Sequence, residues 1–167
     1  MNISPFFLIP SLFLLLSCSS AEQSAVGKLL IKQGADGMYE QQLPACPDKP
    51  NCINTEYPEQ SSHYIPALDY QQDKQPQALA MAKKIIVNMG GEIIAEEENY
   101  LASTFTSSLF RFVDDFEIRQ DIDSNKLHIR SASRMGYSDF GVNKRRVEQF
   151  SKLFLQQQQQ EQQKEDN

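Results

Sequence analysis

Residues 111–146 constrain this chain most, because they concentrate arginines, carboxylates, small hydroxyls and glycines beside an apolar alternation that is typical of strands. The segment reads RFVDDFE over 111–117 and RSASRMGYSDFGVNKRR over 130–146. Polar groups next to buried strands must find hydrogen-bond partners. The pattern therefore indicates a polar site or a polar scaffold that is built into the fold, and it names no reaction.

The first 17 residues are predicted to be a signal peptide that lies outside the fold. Residues 6–16 are apolar apart from Pro10 and Ser11. About ten apolar residues fit the core of a signal peptide but are too short to span a bilayer. The LLSC sequence that ends at Cys18 resembles a bacterial lipobox. We therefore predict lipidation of Cys18 and an acylated tether over 18–38, with an ordinary cleavable signal as the alternative.

The predicted location is the bacterial envelope, at the periplasmic face of the outer membrane. Ser19 follows the lipidated cysteine, whereas sorting in Gram-negative bacteria commonly uses Asp there to hold a lipoprotein at the inner membrane. The formal net charge of −6 makes non-specific nucleic-acid binding unfavourable. Because the chain as a whole is acidic, the acyl chains on Cys18 would supply most of the membrane affinity.

Cys46 and Cys52 remain as an even pair once Cys18 is acylated. They bracket the turn-rich segment PDKPN, and in an oxidising compartment such a pair is expected to form a disulfide. A loop this short would stabilise the fold by about 2 kcal/mol in the chain-entropy model. A metal pair or a redox pair is the alternative, although five intervening residues match neither Cys-x-x-Cys nor common zinc spacing.

The order of elements predicts an α+β fold. Helical apolar spacing covers 76–89 and 143–155, with Asn143 as the N-cap of the second helix. Strand patterns cover 92–96, 100–106, 113–122 and 126–133. We predict a small antiparallel sheet of about four strands with two helices packed on one face. The predicted organisation is an irregular, disulfide-containing arm at the start of a single domain over 39–155, then a Gln-rich polar tail over 156–167.

The last two predicted strands form a hairpin around residues 123–126. Pairing Ile122 with Leu127 places Asp115 opposite Arg134 and sends alternate polar side chains, including Glu117, away from the apolar face. The charges on this outer face can satisfy each other, or they can bind a ligand. The loop that follows brings Ser138, Asp139 and Asn143 to a helix start, where anions are favoured.

The enzymatic interpretation has little support in the sequence. Asp114, Asp115 and Glu117 could serve as acid–base or metal groups, but no spacing matches a recognised metal loop. His63 and His128 lie in no nucleophile motif. We therefore assign no catalytic residue, metal ligand or cofactor, and favour a non-catalytic protein over a carboxylate-dependent hydrolase.

Three ordered motifs resemble the family known as domain of unknown function 1499. They are the PACPDKPNC segment at 44–52, the acidic strand FVDDFE at 112–117, and the segment from Arg130 to Arg146. The resemblance covers about residues 43–155. It implies a small secreted or envelope domain, often lipid-anchored in bacteria, and it implies no activity.

The resemblance also implies that one set of polar residues acts as a single cluster. The set is Asp114, Asp115, Glu117, Arg130, Ser131, Ser133, Arg134, Ser138, Asp139, Asn143 and Arg146. Our hypothesis is a binding or interaction module in which Arg130, Arg134 and Arg146 hold an anionic small molecule. In that hypothesis Asp115 and Asp139 orient the arginines, and Ser131, Ser133 and Asn143 donate hydrogen bonds. The alternative is a structural or protein-interaction lipoprotein whose polar cluster is an internal scaffold.

Overall fold

The computed structural model describes residues 30–33 and 39–166. It confirms an α+β fold in which two helices pack on an antiparallel sheet. The strands are β1 (Leu30–Gln33), β2 (Tyr39–Gln42), β3 (Cys52–Asn54), β4 (Leu68–Asp69), β5 (Glu92–Glu97), β6 (Tyr100–Thr106), β7 (Val113–Asp121) and β8 (Lys126–Ser133). The helices are α1 (Gln75–Asn88) and α2 (Val142–Glu165), and a short 3-10 turn (Gln72–Lys74) precedes α1.

The main sheet has six strands instead of the four that the sequence predicts. Its order is β3-β8-β7-β6-β5, with β4 also pairing β8, while β1 and β2 form a separate two-stranded sheet. The two additional strands come from the arm that the sequence analysis treats as irregular. They cover successive parts of β8, opposite Arg130–Ala132 and Lys126–Leu127. Without them, the buried strand β8 would present an unpaired edge.

The hydrophobic core lies between the helices and one face of the sheet. Ile118 and Ile129 pair across β7 and β8, and both are fully buried. The Phe116 ring lies 5.3 Å from that of Phe150 on α2, which in turn stacks on Phe154 at 6.0 Å. Burying each such side chain stabilises the fold by about 1.5–3 kcal/mol, and this packing fixes α2 against the sheet.

The second helix is longer than predicted and begins one residue earlier. It includes Asn143, so Asn143 is not its N-cap; Gly141 holds that position with a left-handed φ of 77°. The helix continues through the Gln-rich segment, because glutamine is a good helix former and Lys74 forms an ion pair with Glu165. Most of that extension is exposed.

The predicted hairpin register is wrong by two residues. Asp121 pairs with Lys126, so the turn covers 122–125 and Ile122 is an exposed turn residue instead of a core residue. In that register Asp115 lies opposite Ala132. A shift of two leaves every side chain on its predicted face, so Asp115, Glu117 and Arg130 still point away from the helices.

The arm carries the predicted disulfide and covers part of the opposite face of the sheet. Cys46 and Cys52 are bonded, with 5.7 Å between their Cα atoms. Leu43 is fully buried and packs with Tyr100 and Ala102 on that face. The predicted signal peptide and Cys18 lie outside the described residues. Within the part of the chain that the structure describes, no helix is long and apolar enough to span a membrane.

Candidate functional site

The sheet divides the predicted polar cluster into two networks. Asp114, Ser131, Ser133, Asn143 and Arg146 lie on the side of the helices, and we call them the helix-face network. Asp115, Glu117, Arg130 and Arg134 lie on the other side, and with Tyr100 we call them the arm-face network. Strand alternation causes this division, since consecutive residues point to opposite faces. Arg146 therefore does not converge with Arg130 and Arg134 on one ligand.

The helix-face network is closed on itself. Asn143 Oδ1 accepts hydrogen bonds from Ser131 Oγ at 2.5 Å and from Arg146 Nη1 at 2.7 Å. Asn143 Nδ2 donates to Ser133 Oγ at 2.9 Å and to the Asn51 carbonyl at 3.0 Å. Ser131 and Asn143 are almost fully buried. The amide of Asn143 thus joins the start of α2 to β8 and to the arm.

Arg146 and Asp114 complete this network as an ion pair. Arg146 Nη2 donates to Asp114 Oδ2 at 2.8 Å, and Ser133 Oγ donates to Asp114 Oδ1 at 2.6 Å. The guanidinium carbon also lies 4.6 Å from the centre of the Phe105 ring, a cation–π contact. The two charged side chains are 12% and 11% exposed, so they are internal partners of each other.

The arm-face network is centred on a buried carboxylate, that of Glu117. Glu117 is fully buried; its Oε1 accepts from Tyr100 Oη at 2.7 Å and its Oε2 accepts from Arg130 Nη1 at 2.7 Å. Arg134 Nε donates to Asp115 Oδ1 at 2.9 Å, and this arginine side chain is 36% exposed. Arg134 is therefore the most accessible of the three arginines that the sequence analysis assigns to a ligand.

Glu56 is a member of this face that the sequence analysis missed. Its Oε2 accepts from the Leu43 backbone N–H at 2.6 Å, and its Oε1 accepts from Arg119 Nε at 2.5 Å. His128 lies beside it, with Nδ1 at 3.8 Å from Glu56 and Nε2 at 3.7 Å from Asp121. No local motif marks Glu56, since its partners are distant in sequence and are brought together only by the fold.

Burial controls the ionisation of these groups. It raises the pKa of Glu56 and that of Asp115, in opposition to Arg119 and Arg134 respectively. Burial, assisted by the charge of Arg119, lowers the pKa of His128 to about 4. Near neutral pH His128 is therefore uncharged, and its ring contacts Thr55 Oγ1 at 3.3 Å as a neutral hydrogen-bonding group.

Acidification is expected to destabilise the fold through His128. Its folded pKa of about 4 lies below the ordinary histidine pKa of 6.5, so the unfolded chain binds the proton first and stability falls as the pH drops from 6.5 towards 4. The shift sets an upper limit of about 3 kcal/mol, which solvent screening reduces to about 1–2 kcal/mol. Glu56 and Asp115 act in the opposite direction as they become protonated, which flattens the lower part of the curve.

Urea unfolding at a series of pH values measures this effect. The wild-type free energy of unfolding should decrease from pH 6.5 to pH 5, and His128→Gln should show a shallower decrease over the same interval. An equal slope in the two chains would show that His128 does not control the acid response.

Asp139 holds the start of α2, and Ser138 supports the preceding loop. Asp139 Oδ1 accepts from the Gly141 N–H at 2.9 Å, and Oδ2 accepts from the Asn143 N–H at 2.6 Å. Ser138 Oγ accepts from the Phe140 N–H at 3.2 Å. Asp139 therefore caps the helix, and it does not orient the arginines as the sequence analysis predicts.

One end of the sheet exposes a group of large apolar side chains that the sequence analysis did not identify. Residues 107–112 connect β6 to β7, and residues 134–141 connect β8 to α2. Both loops lie where β7 begins, since Asp114 pairs with Ser133 and the Arg134 N–H donates to the Val113 carbonyl. We call these two loops the loop end. Its exposed apolar residues are Leu109, Phe110, Phe112, Met135, Tyr137 and Phe140, at 52–89% exposure.

The sheet separates one of the three candidate acid–base side chains from the other two. Asp114 faces the helices, whereas Asp115 and Glu117 face the arm, each beside its own arginine. Among the described residues, no three His, Cys, Asp or Glu side chains are placed to share a metal ion. A cavity of about 10 Å³ lies apart from these groups and is lined by Tyr70, Lys74, Phe154 and Glu161, among others. It has room for about one water molecule.

Comparison with known proteins gives one match. Residues 42–154 match the family model described as "Protein of unknown function (DUF1499)". The matched segment contains both polar networks, the disulfide and the loop end. No curated protein and no solved structure matches the chain.

Proposed function

Because the chain belongs to the DUF1499 family, whose description assigns no activity, we propose a role from the chain's own surface: a lipid-anchored envelope protein that acts as a non-catalytic binding module. The observation that carries the proposal is the loop end, where six large apolar side chains are exposed together. Exposed groups of apolar side chains on small proteins commonly mark interaction sites.

The two polar networks support a scaffold role beneath this surface. The helix-face network fixes the start of α2 through Asn143, and the loop 134–141 ends at that helix. The arm-face network fixes β7 and β8 through Glu117 and Arg130. These contacts use the polar groups internally, which favours the alternative in which the cluster stabilises the fold. Of the three arginines that the sequence suggests for an anionic ligand, Arg134 is the most exposed.

The anchor and the location rest on the N-terminal sequence. The apolar run over 6–16 and the LLSC segment that ends at Cys18 support export and acylation, and Ser19 supports the outer membrane. The disulfide between Cys46 and Cys52 fits an oxidising compartment such as the periplasm. Together these features support a domain that is tethered to the periplasmic face of a membrane.

Site-specific photo-crosslinking in the envelope tests whether the loop end is the binding surface. A photoreactive amino acid at Tyr137 or Phe140 should form covalent adducts with envelope components in intact cells, because both side chains are exposed at the loop end. The control position is Ser124, which is exposed in the turn at the other end of β7. Nine residues of β7 separate the two ends by about 27 Å. Equal adduct yields at Ser124 and Phe140 would contradict the proposal.

A further inference from the structure

The loop end has an ordered backbone, although its apolar side chains are exposed. The Ser107 N–H donates to the Phe112 carbonyl at 2.8 Å, and the Phe112 N–H donates to Ser107 Oγ at 2.9 Å. These bonds close the first loop, and the Phe110 and Phe112 rings stack at 5.7 Å. The second loop is held by Asp139 and by Arg145, whose Nη1 donates to the Phe140 carbonyl at 2.9 Å. The apolar side chains therefore project from fixed positions.

Two residues of the loop end have an unfavourable backbone conformation. Arg111 has φ 57° and Phe140 has φ 54°, a region that costs free energy for any residue with a side chain. Phe140 is also 89% exposed, so its ring contributes little burial to offset that cost. This strained position presents the Phe140 ring to the surroundings, where it is available for a contact outside the fold.

The charge at this end is opposite in sign to that of the whole chain. The loop end together with Lys144 and Arg145, the exposed cations in the first turn of α2, has four basic residues and one acidic residue, whereas the chain has 16 basic and 22 acidic residues. The acidic residue is Asp139, which caps α2. Arg111, Lys144 and Arg145 are exposed. Lys144 lies 4.0 Å from Glu148, and Arg134 forms an ion pair with Asp115.

We infer that the loop end inserts into the headgroup layer of a phospholipid surface that contains anionic lipid. Aromatic and other apolar side chains that alternate with arginine and lysine match this layer, where rings enter the acyl boundary and cations meet phosphates. The exposed apolar side chains come from two separate loops, and Arg111 lies between Phe110 and Phe112 in the first of them, an arrangement that suits a soft surface better than a flat protein face. The inference rests on the proposed function, because an acyl chain at Cys18 would keep the loop end near a bilayer.

Tryptophan emission tests the inference directly, since the chain contains no tryptophan. The probes are Phe110→Trp and Phe140→Trp at the loop end, with Ile122→Trp in the turn at the other end of β7 as the matched control. Each tryptophan variant is prepared as the acylated full chain and as the full chain with Cys18→Ser. Both forms are mixed with phosphatidylcholine vesicles that contain or lack phosphatidylglycerol. Brominated phosphatidylcholine serves as the quencher.

The expected result is a blue shift and bromine quenching for both loop-end probes, and neither for Ile122→Trp. For the Cys18→Ser chain, removal of phosphatidylglycerol or addition of salt should weaken flotation with vesicles about tenfold or more. Arg111→Ala should weaken it in the same direction.

Loop-end probes that remain water-exposed and unquenched in the presence of anionic vesicles would overturn the inference. So would emission that changes only when envelope proteins are added, because the partner would then be a protein. Failure of the anchor gives a different result. If Cys18 were not acylated, the chain isolated from cells would lack the mass of the acyl chains. Bromine quenching of the tryptophan probes in the Cys18→Ser chain would still show whether the loop end contacts lipid.

Discussion

Arg146→Ala is expected to lower the free energy of unfolding by about 3–5 kcal/mol, because it leaves the buried Asp114 carboxylate without its cation. The substitution also removes the hydrogen bond to Asn143 and the contact with the Phe105 ring. Chemical denaturation followed by circular dichroism measures the loss. If the variant fails to fold, Arg146→Lys, which retains the charge but loses the planar fork, should give a smaller and measurable loss.

The matched control is Lys144→Ala, in the same turn of α2. The Lys144 side chain is 58% exposed and lies 4.0 Å from Glu148. Its removal should therefore change the free energy of unfolding by no more than about 0.5 kcal/mol. If Arg146→Ala were as mild as Lys144→Ala, the helix-face network would not be a scaffold.

Arg130→Ala is expected to have a comparable effect from the other side of the sheet. It leaves the fully buried Glu117 carboxylate without its arginine, and the loss of one partner of a buried pair costs about 3–5 kcal/mol. Arg145→Ala is the control, since that side chain is exposed and hydrogen-bonds a backbone carbonyl, that of Phe140, instead of a buried carboxylate; its removal should cost about 1 kcal/mol or less. Equal losses for the two arginines would contradict the burial argument.

The double variant Glu117→Gln, Arg130→Met separates two contributions to the free energy of unfolding. One is the net stabilisation by the intact ion pair, and the other is the cost of leaving one buried partner unpaired. The glutamine can still accept from Tyr100 Oη, and no buried charge remains. Arg130 Nε is buried without a hydrogen-bond partner, which reduces the net stabilisation that the pair provides. The double variant should therefore recover most of the stability that Arg130→Ala loses.

The sequence predicts which face each polar side chain takes better than it predicts which residues meet. Alternation along β7 and β8 places Asp115, Glu117 and Arg130 away from the helices, and an even error in register leaves that assignment intact. The register itself is wrong because Ile122 resembles a strand residue. Asp121 Oδ1 accepts the N–H groups of Asp123 and Ser124, and this local turn ends the strand one residue earlier.

Other features depend on contacts that no local pattern reveals. Glu56 is followed by 62 residues before its partner Arg119, and α2 must pack on the sheet before Asn143 can join Ser131. The loop end is a further example, because Phe110 and Phe140 belong to separate segments that β7 and β8 bring to one edge. The overall charge of −6 also hides the basic character of that edge, since net charge contains no positional information.

Native mass spectrometry of the mature Cys18→Ser chain, purified from the periplasm, tests the central claim that the arginines hold the fold instead of a small ligand. We expect the mass of the chain alone, two hydrogens lighter because of the Cys46–Cys52 bond, and likewise no added mass for Arg134→Ala. A reproducible added mass of an anionic small molecule that disappears in Arg134→Ala would contradict it.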